Sequence, residues 1–237
     1  GLGVLLSSTT PGVCVVSGFI VTLIGKGDCR IDAAQPGNAN ISAAPIISRT
    51  FAVLGAVQAI SFDPIGDRSL AASPVTGHAI ASSGLPVTLT SLTPATCSVT
   101  SSLVVLMAVG PCTIRASQTG DSIYPAATPV DRTFSISANT QTISFPPVAD
   151  RLLSVVIASV AASASSRLPV SYTSLTATVC GTTGDASIEL RTPGVCTIRA
   201  SQSGNSQFAP AANVDRSFNV LATASNIVFA PIGPQTT

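Results

Sequence analysis

Across its 237 residues the chain sets 11 Lys and Arg against 10 Asp and Glu, a formal net charge of +1, with 9% charged residues in all. Such a surplus cannot neutralise a run of phosphates, so electrostatic binding to nucleic acid or to an anionic membrane is excluded. Mean hydropathy is high at +0.53, yet the richest stretch, VCVVSGFIVTLIG (Val13 to Gly25), is broken by Ser17, Gly18 and Thr22 and falls short of the ~20 apolar residues of a spanning helix.

There is one lysine (Lys26), one glutamate (Glu189) and no tryptophan, while Ser, Thr, Ala and Val abound. Helix-favouring surface residues are scarce and β-branched ones plentiful, so the composition predicts an all-β fold. A surface of hydroxyls rather than charges repels its own copies weakly and favours lateral association. The first residue is Gly and no signal peptide is visible, so the sequence reads as a processed form or an excerpt.

Taken in chain order, residues 1–55 are an incomplete copy of a unit that appears in full at 57–138 and again at 140–222, and residues 224–237 begin another. QAISFDPIGDRSL (Gln58 to Leu70) matches QTISFPPVADRLL (Gln141 to Leu153) at an offset of 83, and ASSGLPVTLTSLTPATC (Ala81 to Cys97) matches ASSRLPVSYTSLTATVC (Ala164 to Cys180). After a one-residue insertion CTIRASQ recurs at Cys112 and Cys196, and VDRTFSI meets VDRSFNV. Self-similarity at a fixed long period marks a modular array. Within the middle copy, strands are predicted at Ala59–Phe62, Ala79–Ser82, Val87–Ser91, Cys97–Thr100, Leu103–Val109, Cys112–Gln118 and Arg132–Ile136, with Gly, Pro and Ser breakers between them. Seven short strands so punctuated suit an antiparallel Greek-key sandwich.

In this order the motifs Q-x-I-x-F-x-P, A-S-S-x-L-P-V, C…G-x-C-T-I-x-A-x-Q-x-G and D-R-x-F resemble the bacterial immunoglobulin-like (Big-type) tandem repeats of surface and secreted proteins. The resemblance spans the whole chain. It implies tandem immunoglobulin-like β-sandwiches, an extracellular or cell-surface location, and a fibre, stalk or adhesin role; it carries over no catalytic residue.

The six cysteines fall one pair to a unit: Cys14 and Cys29, Cys97 and Cys112, Cys180 and Cys196. If the strands they open were neighbours in one sheet, the outer two would lie about 9.5 Å apart, too far for a disulfide. In an immunoglobulin-like sandwich the fourth and sixth strands face each other and a bridge becomes feasible. Intradomain disulfides, and with them an oxidising compartment, are the expectation; free buried cysteines are the alternative.

The Asp67–Arg68, Asp131–Arg132, Asp150–Arg151 and Asp215–Arg216 dipeptides read as surface or junction ion pairs rather than a calcium site, which needs several converging carboxylates. Tyr124, Tyr172, Phe62, Phe134, Phe145, Phe208, Phe218 and Phe229 read as core or loop packing. With a single histidine, His78, no Ser-His-Asp set can form, so neither enzyme activity nor a metal or cofactor is expected. The Asn40-Ile-Ser42 sequon occurs once and is read as chance.

Gly1 aligns with Gly84, so the first copy lacks the counterpart of Val57 to Ser83, and the tail ends where Leu153 stands in the third. One reading is an excerpt from a longer array. The other inserts the tail strand Asn226, Ile227, Val228, Phe229, Ala230 and Pro231 into the first repeat of a second copy, giving a head-to-tail fibre; the counterpart of Ser154–Ser166 would still be missing. The expected partners are therefore other copies or adjacent repeats, with surface glycans as the alternative of a ligand-binding adhesin.

Overall fold

The computed structural model describes every residue except Val156, Gly184, Asp185, Ser225, Asn226, Phe229, Ala230, Ile232 and residues 234–237. The chain divides into two compact units, Gly1–Ser137 and Ala138–Thr237. Among the described residues all regular structure is extended apart from one short 3₁₀ turn, Leu70–Ala72. No described helix is long and apolar enough to cross a membrane.

The first repeat, in the first unit, has five strands: β1 (Leu5–Ser8), β2 (Cys14–Ser17), β3 (Ile20–Leu23), β4 (Gly27–Ala34) and β5 (Ile47–Val53). They form a sheet in the order β1-β4-β5 and a separate β2-β3 hairpin.

The second repeat completes that unit with β6 (Ile60–Phe62), β7 (Arg68–Ser69), β8 (Val75–Thr76), β9 (Ala79–Ala81), β10 (Thr88–Ser91), β11 (Cys97–Thr100), β12 (Leu103–Leu106), β13 (Gly110–Ser117) and β14 (Val130–Ser137). One sheet runs β10-β13-β14-β7; the facing layer holds β11-β12-β8 and the β6-β9 pair. Strand β7 lies parallel to β14, with Ile136 opposite Arg68, whereas the other pairings are antiparallel.

The second unit repeats this plan with β15 (Ile143–Ser144), β16 (Arg151–Leu152), β17 (Ile157–Ser159), β18 (Ser163–Ala164), β19 (Ser171–Ser174), β20 (Cys180–Thr182), β21 (Ser187–Leu190), β22 (Gly194–Ser201) and β23 (Val214–Leu221). Its sheets are β16-β23-β22-β19, β17-β21-β20 and β15-β18, with β16 again parallel to β23. Both complete repeats are immunoglobulin-like sandwiches: the first edge segment starts in one sheet and crosses to the other, where it joins the last strand.

Nine strands per complete repeat replace the seven predicted, because the opening segment and the one after it each split. Proline cannot donate to a ladder, so Pro64 ends the pairing of β6 and lets the chain change sheets before β7. Gly77 interrupts the other segment between β8 and β9, its N–H turning to the Ser102 carbonyl.

Alternation within strands builds the cores. In β13, Cys112, Ile114 and Ala116 point inward and are fully buried, and Phe62, Val104, Leu106, Phe134 and Ile136 close around them. Phe145, Ile188, Leu190, Ile198, Phe218 and Val220 do the same in the third repeat. The first repeat has no such core. Phe51 is 45% exposed where Phe134 and Phe218 are 3%, and Leu23 is 54% exposed where Leu106 and Leu190 are 6% and 4%.

Candidate functional site

Three disulfides join facing layers: Cys14–Cys29, Cys97–Cys112 and Cys180–Cys196, with Cα–Cα separations of 5.7, 5.8 and 5.7 Å. In the second repeat the bridge runs from β11 in one sheet to β13 in the other, and all six half-cystines are fully buried.

Each disulfide is closed over by a local motif that recurs as S-x-T-x-x-x-C, at Ser8, Ser91 and Ser174. The serine hydroxyl accepts the N–H of the threonine two residues on. That threonine's Oγ1 accepts the N–H just beyond the second cysteine: Arg30, Thr113 or Thr197, at 2.9, 3.0 and 2.9 Å. Both hydroxyls also lie within 3.4–3.7 Å of the first cysteine's Sγ. The motif thus satisfies a backbone donor inside the long strand that carries the second cysteine, a group that would be costly to leave unpaired.

A second recurrent arrangement latches the opening strand. Gln141 Nε2 donates to Gln202 Oε1 and to the Ala209 carbonyl, and its Oε1 accepts from the Ser166 hydroxyl. Gln58 has the same partners one repeat earlier: Gln118, Pro125 and Ser83. Gln118 and Gln202 also accept the N–H of Gly120 and Gly204. These glycines sit at φ +79° and +77°, where a Cβ would run into the loop backbone.

The Asp–Arg dipeptides do not pair internally. Asp131 and Asp215 take bidentate bonds from the cross-strand Arg115 and Arg199 at 2.8–2.9 Å. Those bonds, chiefly, hold both carboxylates below their ordinary pKa. Their neighbours Arg132 and Arg216 turn the other way and donate Nε to the carbonyls of Phe62 and Phe145 in the opening strands. Asp67 and Asp150 accept the N–H of Ser135 and Asn219 in the last strand. The Asn219 N–H, then the Asn219 side chain, lowers the Asp150 pKa. Adjacent residues in a strand face opposite ways, so the surface ion pairs expected at these dipeptides form at Asp131 and Asp215 with Arg115 and Arg199 as partners, while Arg132 and Arg216 bond backbone carbonyls.

In the first repeat the counterparts of these acceptors and donors lack the opening strand. Among the described residues Gln35 accepts its own turn's Gly37 N–H, and Arg49 donates to the Ser48 carbonyl. Lys26, at a position that aligns with Val109 and Pro193, donates instead to the Asp121 and Tyr124 carbonyls of the second repeat. Ala56 N–H donates to Ile123 O in the same loop.

Of the predicted assembly strand, Asn226, Phe229 and Ala230 lie outside the described residues. Ile227 and Val228 are 93% and 89% exposed, and Pro231 is exposed. Phe229 of the aromatic set is likewise outside. Phe62, Phe134, Phe145 and Phe218 are buried, and Tyr124, Tyr172 and Phe208 half-buried. His78 meets Asp63 at 3.0 Å on the surface of the second repeat. Among the described residues no three His, Cys, Asp or Glu side chains converge as metal ligands.

No protein-family model matches the chain, and no curated protein is similar to it in sequence. Among solved structures, Drosophila N-cadherin EC1-4 is similar at 12% identity and a TM-score of 0.34, over 94% of this chain and 66% of that one. Sidekick-1 immunoglobulin domains 1–5 give 12% and 0.33, over 93% and 52%, and domains 4–9 of the surface layer protein SbsC 16% and 0.27, over 93% and 39%. The chain therefore spans under two thirds of each of these structures' own length.

Proposed function

We propose that the chain is a structural segment of an extracellular filament or stalk, built from immunoglobulin-like sandwiches of the kind carried by bacterial surface and secreted proteins. The observation that supports this most directly is the parallel pairing of β7 with β14 and of β16 with β23. Parallel neighbours near the two ends of a repeat are pulled in opposite directions when the chain is stretched, so their hydrogen bonds load together in shear. The Asp67, Arg132, Asp150 and Arg216 latches cross this joint, and the disulfides hold the two sheets behind it. In this reading the partners are copies of the same repeat, and no residue acts catalytically.

Single-molecule stretching of the full chain tests the proposal. The complete repeats should unfold as discrete high-force events, and reductant should lengthen each release by the residues between the cysteines. Gradual low-force extension would overturn it.

The strand Asn226–Pro231 of a second copy is proposed to complete the first repeat. Ile227 and Phe229 stand where Ile143 and Phe145 stand in the third repeat, and Arg49 would find its carbonyl there as Arg216 does. A synthetic peptide of residues 224–237 should bind the full chain and protect β5 from hydrogen exchange, and Arg49→Ala should weaken it. If the peptide fails to bind, or a segment preceding Gly1 in a longer chain already covers β5, strand donation is wrong and the shear reading stands.

A further inference from the structure

We propose that the second repeat carries a binding site for an uncharged glycosyl unit, in a cavity of about 440 Å³ beside Gly77 and Leu89. The volume lies in the ~300–1,000 Å³ range of small-molecule sites. The site is separate from the staples and latches and does not depend on the filament reading.

The cavity exists because two residues depart from the repeat. Gly77 and Leu89 align with Val160 and Tyr172. In the third repeat both larger side chains pack against the core, and the Tyr172 ring meets Phe145 edge-on at 5.9 Å. The Tyr172 hydroxyl accepts the Ala162 N–H at 2.7 Å, and Ala162 is the counterpart of Ala79, which lines the cavity. The phenol thus reaches, in one sandwich, the residue whose counterpart lines the cavity in the other. Gly77 lacks a positive φ, so its backbone does not require glycine, but a Cβ there would stand 2.8 Å from Leu89 Cδ1, so glycine at 77 and leucine at 89 go together.

The rim gives a second, independent observation. Ser101 lines the cavity and holds φ +58°, a conformation that serine adopts at a cost. Its counterpart in the first repeat is Gly18, at φ +60°, while the third repeat's turn is one residue longer and there Ala186 holds φ +64°. Glycine would make the same turn without strain. What serine adds is a hydroxyl at the mouth of the cavity.

The lining fixes the ligand class. Ala79, Val87 and Leu89 form an apolar wall, Ser101 and Ser102 bring hydroxyl-bearing residues to the rim, Thr88 lines the cavity from the strand between Val87 and Leu89, and no lining residue is charged. A pyranose offers the complement: a C–H face for the wall and hydroxyls for the rim. A charged ligand would lose hydration without gaining a counter-ion.

The test is an NMR titration of the full chain with methyl α-D-glucopyranoside, methyl β-D-galactopyranoside and N-acetyl-D-glucosamine. At least one probe should shift the amides of Gly77, Thr88, Ser101 and Ser102 saturably and leave their third-repeat counterparts unmoved. Gly77→Val with Leu89→Tyr, which installs the packing the third repeat already tolerates, should abolish the shifts. Ser101→Gly, which keeps the turn, should weaken binding. No saturable shift with any probe, shifts confined elsewhere, or undiminished binding in both variants would overturn the proposal.

Discussion

Replacing Gln141 by Leu removes a side chain that is 7% exposed and keeps its approximate volume. Three hydrogen bonds disappear, to Gln202, Ala209 and Ser166. At about 1 kcal/mol net for each, partly offset by the added apolar burial of leucine, the third repeat should lose about 2–3 kcal/mol. Gln202 keeps the Gly204 N–H, and Ser166 and Ala209 are both half-buried and turn partly to water, so no group is left wholly uncompensated. Gln58→Leu is the internal control. Its partners are the same in kind, but Gln58 is more exposed, so water replaces part of what is lost and the cost should be lower, about 1–2 kcal/mol. Hydrogen exchange through a urea series reads the two repeats separately, at Ile60–Phe62 and at Ile143–Ser144. A cost for Gln58→Leu equal to or above that for Gln141→Leu, or both below about 0.5 kcal/mol, would refute the reasoning that burial sets the worth of the latch.

Cys14→Ala with Cys29→Ala should abolish exchange protection of β2 and β3, since these cysteines are the buried apolar side chains of the first repeat among the described residues. The same change at Cys97 and Cys112 should lower stability by about 3 kcal/mol, the chain-entropy value for a loop of this length, and leave the second repeat folded in chemical denaturation. Lys26→Met should increase exchange at Ala56 and in the Asp121–Tyr124 loop without moving the third repeat, because the lysine bonds two carbonyls there. Asp131, Asp150 and Asp215 have folded pKa values below the ordinary 3.8. Their contribution is fully present above about pH 4 and is lost as pH falls through the lowered folded values. Asp150→Asn should therefore flatten the acid limb of the third repeat's stability, measured by denaturation at stepped pH.

The sandwich was legible because its signals are local. Alternation in CTIRAS, the breakers between strands and the spacing of the copies all lie within a few residues or at one fixed offset. The latches were only half legible. Gln58, Gln118, Gln141 and Gln202 stood in the motifs that define the repeat, yet their mutual bonding spans about 60 positions and depends on which strands face each other. The Asp–Arg dipeptides were half legible for the same reason: Asp131 and Asp215 do form surface ion pairs, but their partners Arg115 and Arg199 lie 16 positions away on the neighbouring strand. The split of the opening strand had its signal in Pro64, whose missing N–H cannot continue a ladder.

Three copies in one chain also separate what the fold demands from what it merely permits. The cysteine pair, the Ser and Thr that close over it, and the glutamine and glycine of the turn are the same in all three, and each has a bond or a buried position that explains it. Leu89 and Tyr172 differ, and both repeats fold, so that position is free to vary as far as the sandwich is concerned. The variation is nevertheless concerted: the smaller side chain at 89 goes with glycine at 77, where a Cβ would stand 2.8 Å from Leu89 Cδ1, and a cavity remains beside the pair. A sandwich selected only for strength would fill it, since unfilled volume at the edge of a core forfeits dispersion contacts. Restoring Val and Tyr at these two positions should therefore stabilise the second repeat in urea denaturation while removing its cavity. A loss of stability would mean that the small pair is there for packing, and the argument for a ligand would fall with it.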